Sequence, residues 1–90
     1  MGWTVKLTRK ASKQLKKLDT RIVDKLAALV DDIKKLGPVR GNWPNYSKLS
    51  DGSHHCHLSY EMVACWEVTD TEIKLVEVYY AGSRKDAPYD

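Results

Sequence analysis

The residues best suited to chemistry lie together in the middle of the chain. The three histidines of the 90-residue sequence, His54, His55 and His57, fall within four consecutive positions. Because a β-strand points successive side chains to opposite faces, His55 and His57 share one face, while Cys56 and Leu58 share the other. Cysteine and leucine are typical buried residues, and paired imidazoles are not. The pattern predicts a strand with a buried face at Cys56 and Leu58 and a polar face at His55 and His57.

A pair of histidines on one face is suited to proton transfer. An unperturbed imidazole has a pKa of about 6.5, so it can act as base or acid at cellular pH. Other interpretations remain open from the residues alone. His54 is expected to be a solvated turn residue, and His55 and His57 could be polar strand residues without a catalytic role.

A zinc site or a cysteine nucleophile in this stretch is not favoured. Adjacent strand positions point to opposite faces, and the sequence has no CxxC or HxxxH spacing to supply four ligands. Cys56 and Cys65 both lie in apolar, strand-like surroundings, so we expect buried, reduced thiols rather than a disulfide or a reactive thiolate. The sequence predicts no metal and no cofactor.

Length and composition are those of a small globular protein. With 42% apolar and 30% charged residues, the chain is expected to form one domain over residues 1–90. It contains no run of about 18 apolar residues, which a membrane-spanning helix would need. The apolar residues Trp3, Val5 and Leu7 alternate with polar ones, unlike a signal peptide. A cytoplasmic protein with no membrane partner is expected.

Charge is divided unevenly along the chain. Residues 1–50 carry twelve Lys or Arg against four Asp, a net charge of +8, and residues 51–90 carry three cations against eight acids, a net charge of −5. Such a division predicts one basic surface, and basic surfaces bind polyanions or acidic partners. The alternative is that these cations are only the solvated faces of amphipathic helices.

The first half of the chain predicts a strand followed by two helices. Gly2 to Leu7 alternates as a half-buried strand. A short basic helix follows Thr8, its expected N-cap. Thr20 is expected to cap a second helix that ends at Gly37 and Pro38. Its apolar stripe consists of Ile22, Leu26, Leu29, Ile33 and Leu36.

The second half predicts strands joined by tight turns. The expected strands are a short one over residues 46–49, the histidine strand, one over 62–68, and a long central one over 72–81, with turns at residues 51–52 and 70–71. Short turns make these strands antiparallel. The predicted fold is therefore α+β, with an N-terminal strand and an antiparallel two-helix hairpin on one face of a mainly antiparallel, twisted sheet of four to five strands. His55 and His57 should point onto the open face.

This order of elements, together with particular residues, resembles the RelE/ParE superfamily of bacterial toxins, most closely its RelE- and YafQ-like mRNA-cleaving members. The run His55–Leu58 lies where these toxins place two basic residues on a strand. The run Ala81–Arg84 resembles the strand end that carries a glycine and then a catalytic arginine or histidine. Tyr89 matches a terminal aromatic, and the spacing of His57 and Glu61 resembles the YafQ branch.

The sequence departs from these toxins at several site positions. Histidines replace the paired lysines of RelE, and Glu61 and Val63 occupy the region in which RelE has an arginine. The YafQ branch has a histidine where this chain has Arg84, and another near Ser47. The resemblance therefore implies the fold more strongly than any single catalytic role.

The resemblance implies a function and a set of site residues. The protein would be the toxin of a type II toxin–antitoxin system, cleaving mRNA at the ribosomal A site by metal-independent attack of a 2′-OH on the phosphodiester. The implied catalytic set is His57 as base or acid, Glu61 as its orienting group or complement, Arg84 as phosphate clamp, His55 as a second proton-transfer or phosphate-binding group, and Tyr89 as a base-stacking residue. The implied RNA contacts are Lys10, Lys13, Lys16, Lys17, Lys48 and Lys85.

The implied partners are a cognate antitoxin and the 70S ribosome with its mRNA, whose ribosomal RNA the basic helices would contact. A homodimer and a toxin–antitoxin heterotetramer are both compatible with the resemblance. Two alternatives stay open. One is a ParE-like toxin that inhibits DNA gyrase without a nuclease centre, against which the histidines and Arg84 argue. The other is a non-toxic RNA- or protein-binding relic of the same fold.

Overall fold

The structure, a computed structural model, describes residues 2–72 and 74–88. In chain order its elements are β1 (Thr4–Leu7), α1 (Arg9–Leu15), α2 (Thr20–Leu36), β2 (Ser47–Lys48), β3 (His54–His57), β4 (Met62–Asp70), β5 (Leu75–Ser83) and a short 3-10 helix (Arg84–Asp86). Within these described ranges, no helix has the length and apolar character needed to cross a membrane.

The described strands form a mixed five-stranded sheet in the order β1-β5-β4-β3-β2. β1 runs parallel to β5, because the chain crosses over through the two helices before it returns to the sheet. The remaining neighbours, joined by shorter connections, are antiparallel. The predicted α+β fold, with two helices packed on a mainly antiparallel sheet, is confirmed.

Polar caps and a glycine set the ends of the helices. The Thr8 hydroxyl accepts a hydrogen bond from the Ala11 amide at 3.1 Å, as predicted. The predicted cap of α2 is wrong by one residue, since Asp19 rather than Thr20 is the N-cap and accepts from the Ile22 amide at 3.1 Å. α2 ends at Gly37, whose φ of 96° favours glycine.

The main core lies between the helices and the sheet. Ile22, Leu26, Leu29 and Ile33 of α2 are buried in one cluster with sheet residues, among them Cys56, Leu58, Ala64, Trp66, Val76 and Val78. Leu36 does not join this stripe, because it is the last residue of the helix and is 66% exposed. The shared cluster places Cys56 and Leu58 on the helix side of the sheet, as the alternation predicted.

A smaller cluster covers the opposite face of the sheet. It consists of Val63, Cys65 and Tyr80, with Tyr79 and Ala87 packed against it. Cys65 is therefore on the other side of the sheet from Cys56, and both cysteines are free and buried. Burial raises the pKa of each thiol to about 12, so both stay protonated at neutral pH and neither is suited to act as a nucleophile.

The prediction that His54 is a solvated turn residue is wrong. This residue lies in β3, only 4% exposed, directly across from Trp66 of β4. Its ring stacks on the Trp66 indole with centroids 5.8 Å apart, and the Tyr46 hydroxyl forms a 2.7 Å hydrogen bond with Nδ1. An aromatic surface and a hydroxyl partner together compensate the burial of an imidazole, which explains why a polar residue is found here.

Burial lowers the pKa of His54, and the positive charge of Lys48 lowers it further. A histidine whose pKa is lowered by folding contributes its full stability above the pKa of the unfolded chain, about 6.5. That contribution is lost as the pH falls from this value through the lower pKa of the folded protein. We therefore expect the free energy of unfolding, measured with urea, to fall between about pH 7.5 and pH 5.

A His54→Phe variant provides the control for this effect. It should lose less stability on acidification than the unmodified protein, with the remaining loss assigned to His55, whose pKa burial also lowers. Equal losses in the two proteins would show that His54 is not the group that responds to pH.

Candidate active site

The two site histidines lie on the face of the sheet that the helices leave open. In the register of β3 and β4, His55 is opposite Cys65 and His57 is opposite Val63. Both partners belong to the small cluster on the face away from the helices. Since cross-strand partners share a face, His55 and His57 point to this side, as predicted.

His55 is held in place and largely shielded from solvent. It is 8% exposed, and its Nδ1 lies 2.9 Å from the hydroxyl oxygen of Ser47, its partner across β2 and β3. Burial, as the main cause, lowers the pKa of His55, and the nearby imidazole of His57 also lowers it. The neutral form of His55 is therefore favoured at neutral pH, which makes it an oriented dipole rather than a cation.

His57 is more accessible than His55 and ends β3. Its ring centroid is 6.0 Å from that of His55, and its amide donates to the Pro44 carbonyl at 2.9 Å. Nδ1 is shielded and makes no hydrogen bond to any described residue, which leaves Nε2 as the nitrogen that a ligand can reach. The ring lines a cavity of about 290 Å³ at the end of the sheet. With no partner on Nδ1 to fix its tautomer, the ring can present Nε2 as either donor or acceptor.

Arg84 reaches the same end of the sheet from β5. Its amide donates to the Glu61 carbonyl at 2.8 Å, which ties the start of the 3-10 helix to the turn between β3 and β4. The guanidinium carbon lies 5.1 Å from the centroid of the Tyr60 ring, a cation–π contact. Tyr60 is 79% exposed and lines the same cavity as His57. Tyr60 therefore connects the two groups, since it lines the cavity of His57 and contacts Arg84.

Several solved toxin structures share this architecture, although no family model and no curated protein matches the sequence. The YoeB dimer from Staphylococcus aureus has a TM-score of 0.74 at 16% identity, covering 93% of this chain and 99% of that one. The archaeal RelE–RelB complex from Pyrococcus horikoshii gives 0.73 at 14% identity, covering 97% and 100%. A YoeB/ParE toxin from Agrobacterium tumefaciens gives 0.75 at 17% identity, covering 90% and 98%. The chain has the RelE-like toxin fold.

In this RelE-like fold, the other two predicted catalytic residues, Glu61 and Tyr89, are not among the described residues that line the cavity at His57. Glu61 is exposed in the turn just before β4, and the contact with Arg84 is made by its main-chain carbonyl. Tyr89 lies outside the described residues, so its predicted stacking role has no structural counterpart here.

The predicted RNA-binding lysines divide into separate groups. Lys10 and Lys17 line a cavity of about 420 Å³ beside the end of β5, together with Gly82 and Asp86. Lys13, Lys16 and Lys85 are exposed, and Lys16 and Lys17 follow α1 rather than belonging to it. Lys48 pairs with His54 across β2 and β3, so it points away from the face that carries His55 and His57.

A chain of hydrogen bonds holds the open face of the RelE-like sheet together. The Tyr79 hydroxyl donates to the Ser53 hydroxyl oxygen at 2.8 Å, and Ser53 donates in turn to an Asp51 carboxylate oxygen at 2.6 Å. The bonds from Ser53 lower the pKa of Asp51, so the carboxylate stays charged. The network joins β5 to the residue before β3 and so fixes the strand that carries the histidines.

Sequence reasoning missed two residues that shape the site. The position of Tyr60 could have identified it, because a tyrosine in a tight turn between two strands is expected to be exposed and available for contacts. Gln14 gave no such signal. Its side-chain oxygen accepts from the Ala81 amide at 3.0 Å, past the point where β1 stops pairing with β5. This bond satisfies a buried backbone amide of β5 that β1 no longer reaches.

Within residues 2–72 and 74–88, no three His, Cys, Asp or Glu side chains come together as ligands for a metal ion.

Proposed function

We propose that this protein is the toxin of a type II toxin–antitoxin system and that it cleaves mRNA in the ribosomal A site. The observation that carries the proposal is that the cavity lined by His57 is also lined by Tyr60, whose ring contacts the Arg84 guanidinium. Phosphodiester cleavage by a 2′-OH is favoured by groups that transfer protons and by a cation that stabilises the developing charge, and an imidazole and a guanidinium are groups of these two kinds.

The proposed reaction needs one proton removed and one supplied. The 2′-oxygen loses its proton and attacks the adjacent phosphorus, the bond to the 5′-oxygen breaks, and that oxygen takes up a proton. Nε2 of His57 performs one of these transfers, since it is the accessible nitrogen and neither tautomer is fixed by a partner on Nδ1. The carboxylate of Glu61, four residues on, is the proposed complement. Arg84 stabilises the charge that develops on the phosphate, through two parallel N–H groups.

His55 receives a different role from the one the resemblance implied. With its Nδ1 bonded to Ser47 and its pKa lowered by burial, it is better suited to support His57 than to exchange protons itself. A neutral ring 6.0 Å from His57 adds no repulsion when His57 becomes charged. Lys48, which faces away, is not part of this proposed site.

The proposed partners follow from the fold and from the names of its structural neighbours. Neighbours have been solved as RelE–RelB and YoeB–YefM complexes, and one as a YoeB dimer. By analogy, a cognate antitoxin would bind this chain in the cytoplasm and block access to the cavity at His57, in a heterodimer or heterotetramer. The 70S ribosome with its mRNA would be the target once the antitoxin is released.

The decisive experiment compares two activities of the purified protein. It is added to ribosomes translating a defined mRNA, with cleavage mapped by primer extension, and separately to DNA gyrase in a supercoiling assay. We expect cleavage at the codon in the A site and no effect on gyrase. Gyrase inhibition without cleavage would replace this proposal with the ParE-like alternative. Neither activity would leave a binding protein with a toxin fold.

A further inference from the structure

The cavity at His57 continues around the end of the sheet toward α2. A second cavity of about 390 Å³ shares Lys25, Leu58 and Ser59 with the first. Beyond these shared residues, the second cavity is lined by Arg21, with Asp19 and Ile22. The two together form one groove, here named the α2 groove, which runs from Tyr60 and His57 past Ser59 to Arg21.

Two cations border this groove on the helix side. Arg21 and Lys25 are both exposed and lie four residues apart in α2, so their side chains are neighbours on one helical face. The carboxylate that lines the same groove, Asp19, is engaged as the N-cap, where its Oδ1 accepts from the Ile22 amide. The groove is therefore lined by two cations and one capping carboxylate, a net charge of +1, on the path that leads away from His57.

The cavity beside α1 is less well placed to bind a phosphate next to His57. Lys10, Lys17 and Asp86 give it the same balance of two cations and one carboxylate as the α2 groove, but it opens beside β5 rather than at His57. A strand of RNA with its reacting phosphate at His57 would reach Lys25 through the shared wall at Leu58 and Ser59. The connection of cavities favours α2 over α1 as the nearer phosphate contact.

We infer that Arg21 and Lys25 bind backbone phosphates of single-stranded RNA adjacent to the bond held at His57. The inference rests on the proposed function, because it takes RNA as the substrate. The contacts are electrostatic and independent of base identity, since a guanidinium and an ammonium on a helix face reach phosphate oxygens rather than base edges. They add to affinity and position the strand, while His57 and Arg84 act on the reacting phosphate.

The test uses a fluorescent single-stranded RNA oligonucleotide that carries a 2′-O-methyl group at every position, which prevents 2′-OH attack. Its affinity for the full-length protein is measured by anisotropy over a range of salt concentrations. The doubly substituted variant Arg21→Gln/Lys25→Gln is compared with Lys34→Gln/Lys35→Gln. The control removes the same two charges from the other end of the same helix, where Lys35 pairs with Asp31 on the surface.

We expect the first variant to bind at least tenfold more weakly near physiological salt and to lose about 1.4 from the slope of log K against log salt, as two lost phosphate contacts on a single strand predict. The control should keep the slope of the unmodified protein. Equal slopes in all three proteins, or no binding by the unmodified protein, would overturn the inference.

The ribosomal cleavage assay, run in parallel, keeps the two proposals apart. Cleavage that occurs while the oligonucleotide slopes are equal rejects the α2 groove and leaves the nuclease intact. Salt-dependent binding that is lost with Arg21 and Lys25, in a protein that never cleaves, rejects the nuclease and retains the groove as an RNA-binding site.

Discussion

The His57→Gln variant is expected to cleave mRNA in translating ribosomes roughly 10²- to 10⁴-fold more slowly than the unmodified protein, the usual loss when a proton-transfer group is removed. Glutamine keeps much of the shape and polarity of the imidazole but cannot gain or lose a proton near neutral pH. The measurement is the single-turnover cleavage rate on stalled ribosomes that carry a defined A-site codon, which separates chemistry from binding.

His55→Gln is the matched comparison for this result. His55 shares the strand, the face and the residue type of His57, but it is buried and bonded to Ser47. If it only supports its neighbour, its substitution should cost about tenfold or less, well below the range expected for removing the proton-transfer group. Both variants must unfold cooperatively in urea to be compared. Full activity in His57→Gln, or a larger loss in His55→Gln, would remove His57 from its proposed role.

The pH profile gives a second readout for the same pair. A reaction that depends on the titration of one imidazole loses its rate on at least one side of the imidazole pKa. That pH dependence should disappear from the residual activity of His57→Gln and persist in His55→Gln. An unchanged profile in both would place the titrating group elsewhere, with Glu61 the next candidate.

Local pattern was enough to predict the helices and strands of this chain and the faces they bury, but not the strand order or the parallel pairing of β1 with β5. The alternation at residues 54–58 correctly separated Cys56 and Leu58 from His55 and His57, because the period of a strand is set by covalent geometry. The apolar stripe of α2 and the stop at Gly37 were equally local. The one misplaced cap, Thr20 for Asp19, arose because two adjacent residues both had a side-chain oxygen suited to the position.

The contacts that build the site depend on register, which local pattern does not contain. His54 is buried because Trp66 lies opposite it and Tyr46 reaches its ring. The register of β2 on β3 gives His55 its Ser47 partner. These partners lie eight or more positions apart in the sequence, so local pattern could not predict which residues would meet. The burial of His54 and His55, and hence the lowering of their pKa values, could only be seen once the strands were aligned.

Trp66→Ala is expected to be the most damaging single substitution in the core, costing about 3–5 kcal/mol of unfolding free energy. Trp66 is fully buried, stacks on His54, and donates from its indole nitrogen to the Pro38 carbonyl at 2.9 Å. A chain of this length has roughly 5–13 kcal/mol in total. The substitution would therefore remove a large fraction of the stability, measured as a shift in the urea midpoint at constant m-value.

Two further variants separate the causes of that loss. Trp66→Phe keeps an aromatic ring against His54 but leaves the Pro38 carbonyl without its donor, which should cost about 1–3 kcal/mol. Trp43→Ala removes an indole that is only partly buried and donates to Asp32, so its cost should be less than half that of Trp66→Ala. If Trp43→Ala proved the more destabilising of the two alanine variants, the loop at residues 38–46 would contribute more to the free energy of unfolding than the buried Trp66 does. Because Trp66 lies in β4, across from His54, and does not touch the proposed site, a loss of cleavage in Trp66→Ala should follow the unfolded fraction and disappear when the variant is assayed at lower temperature.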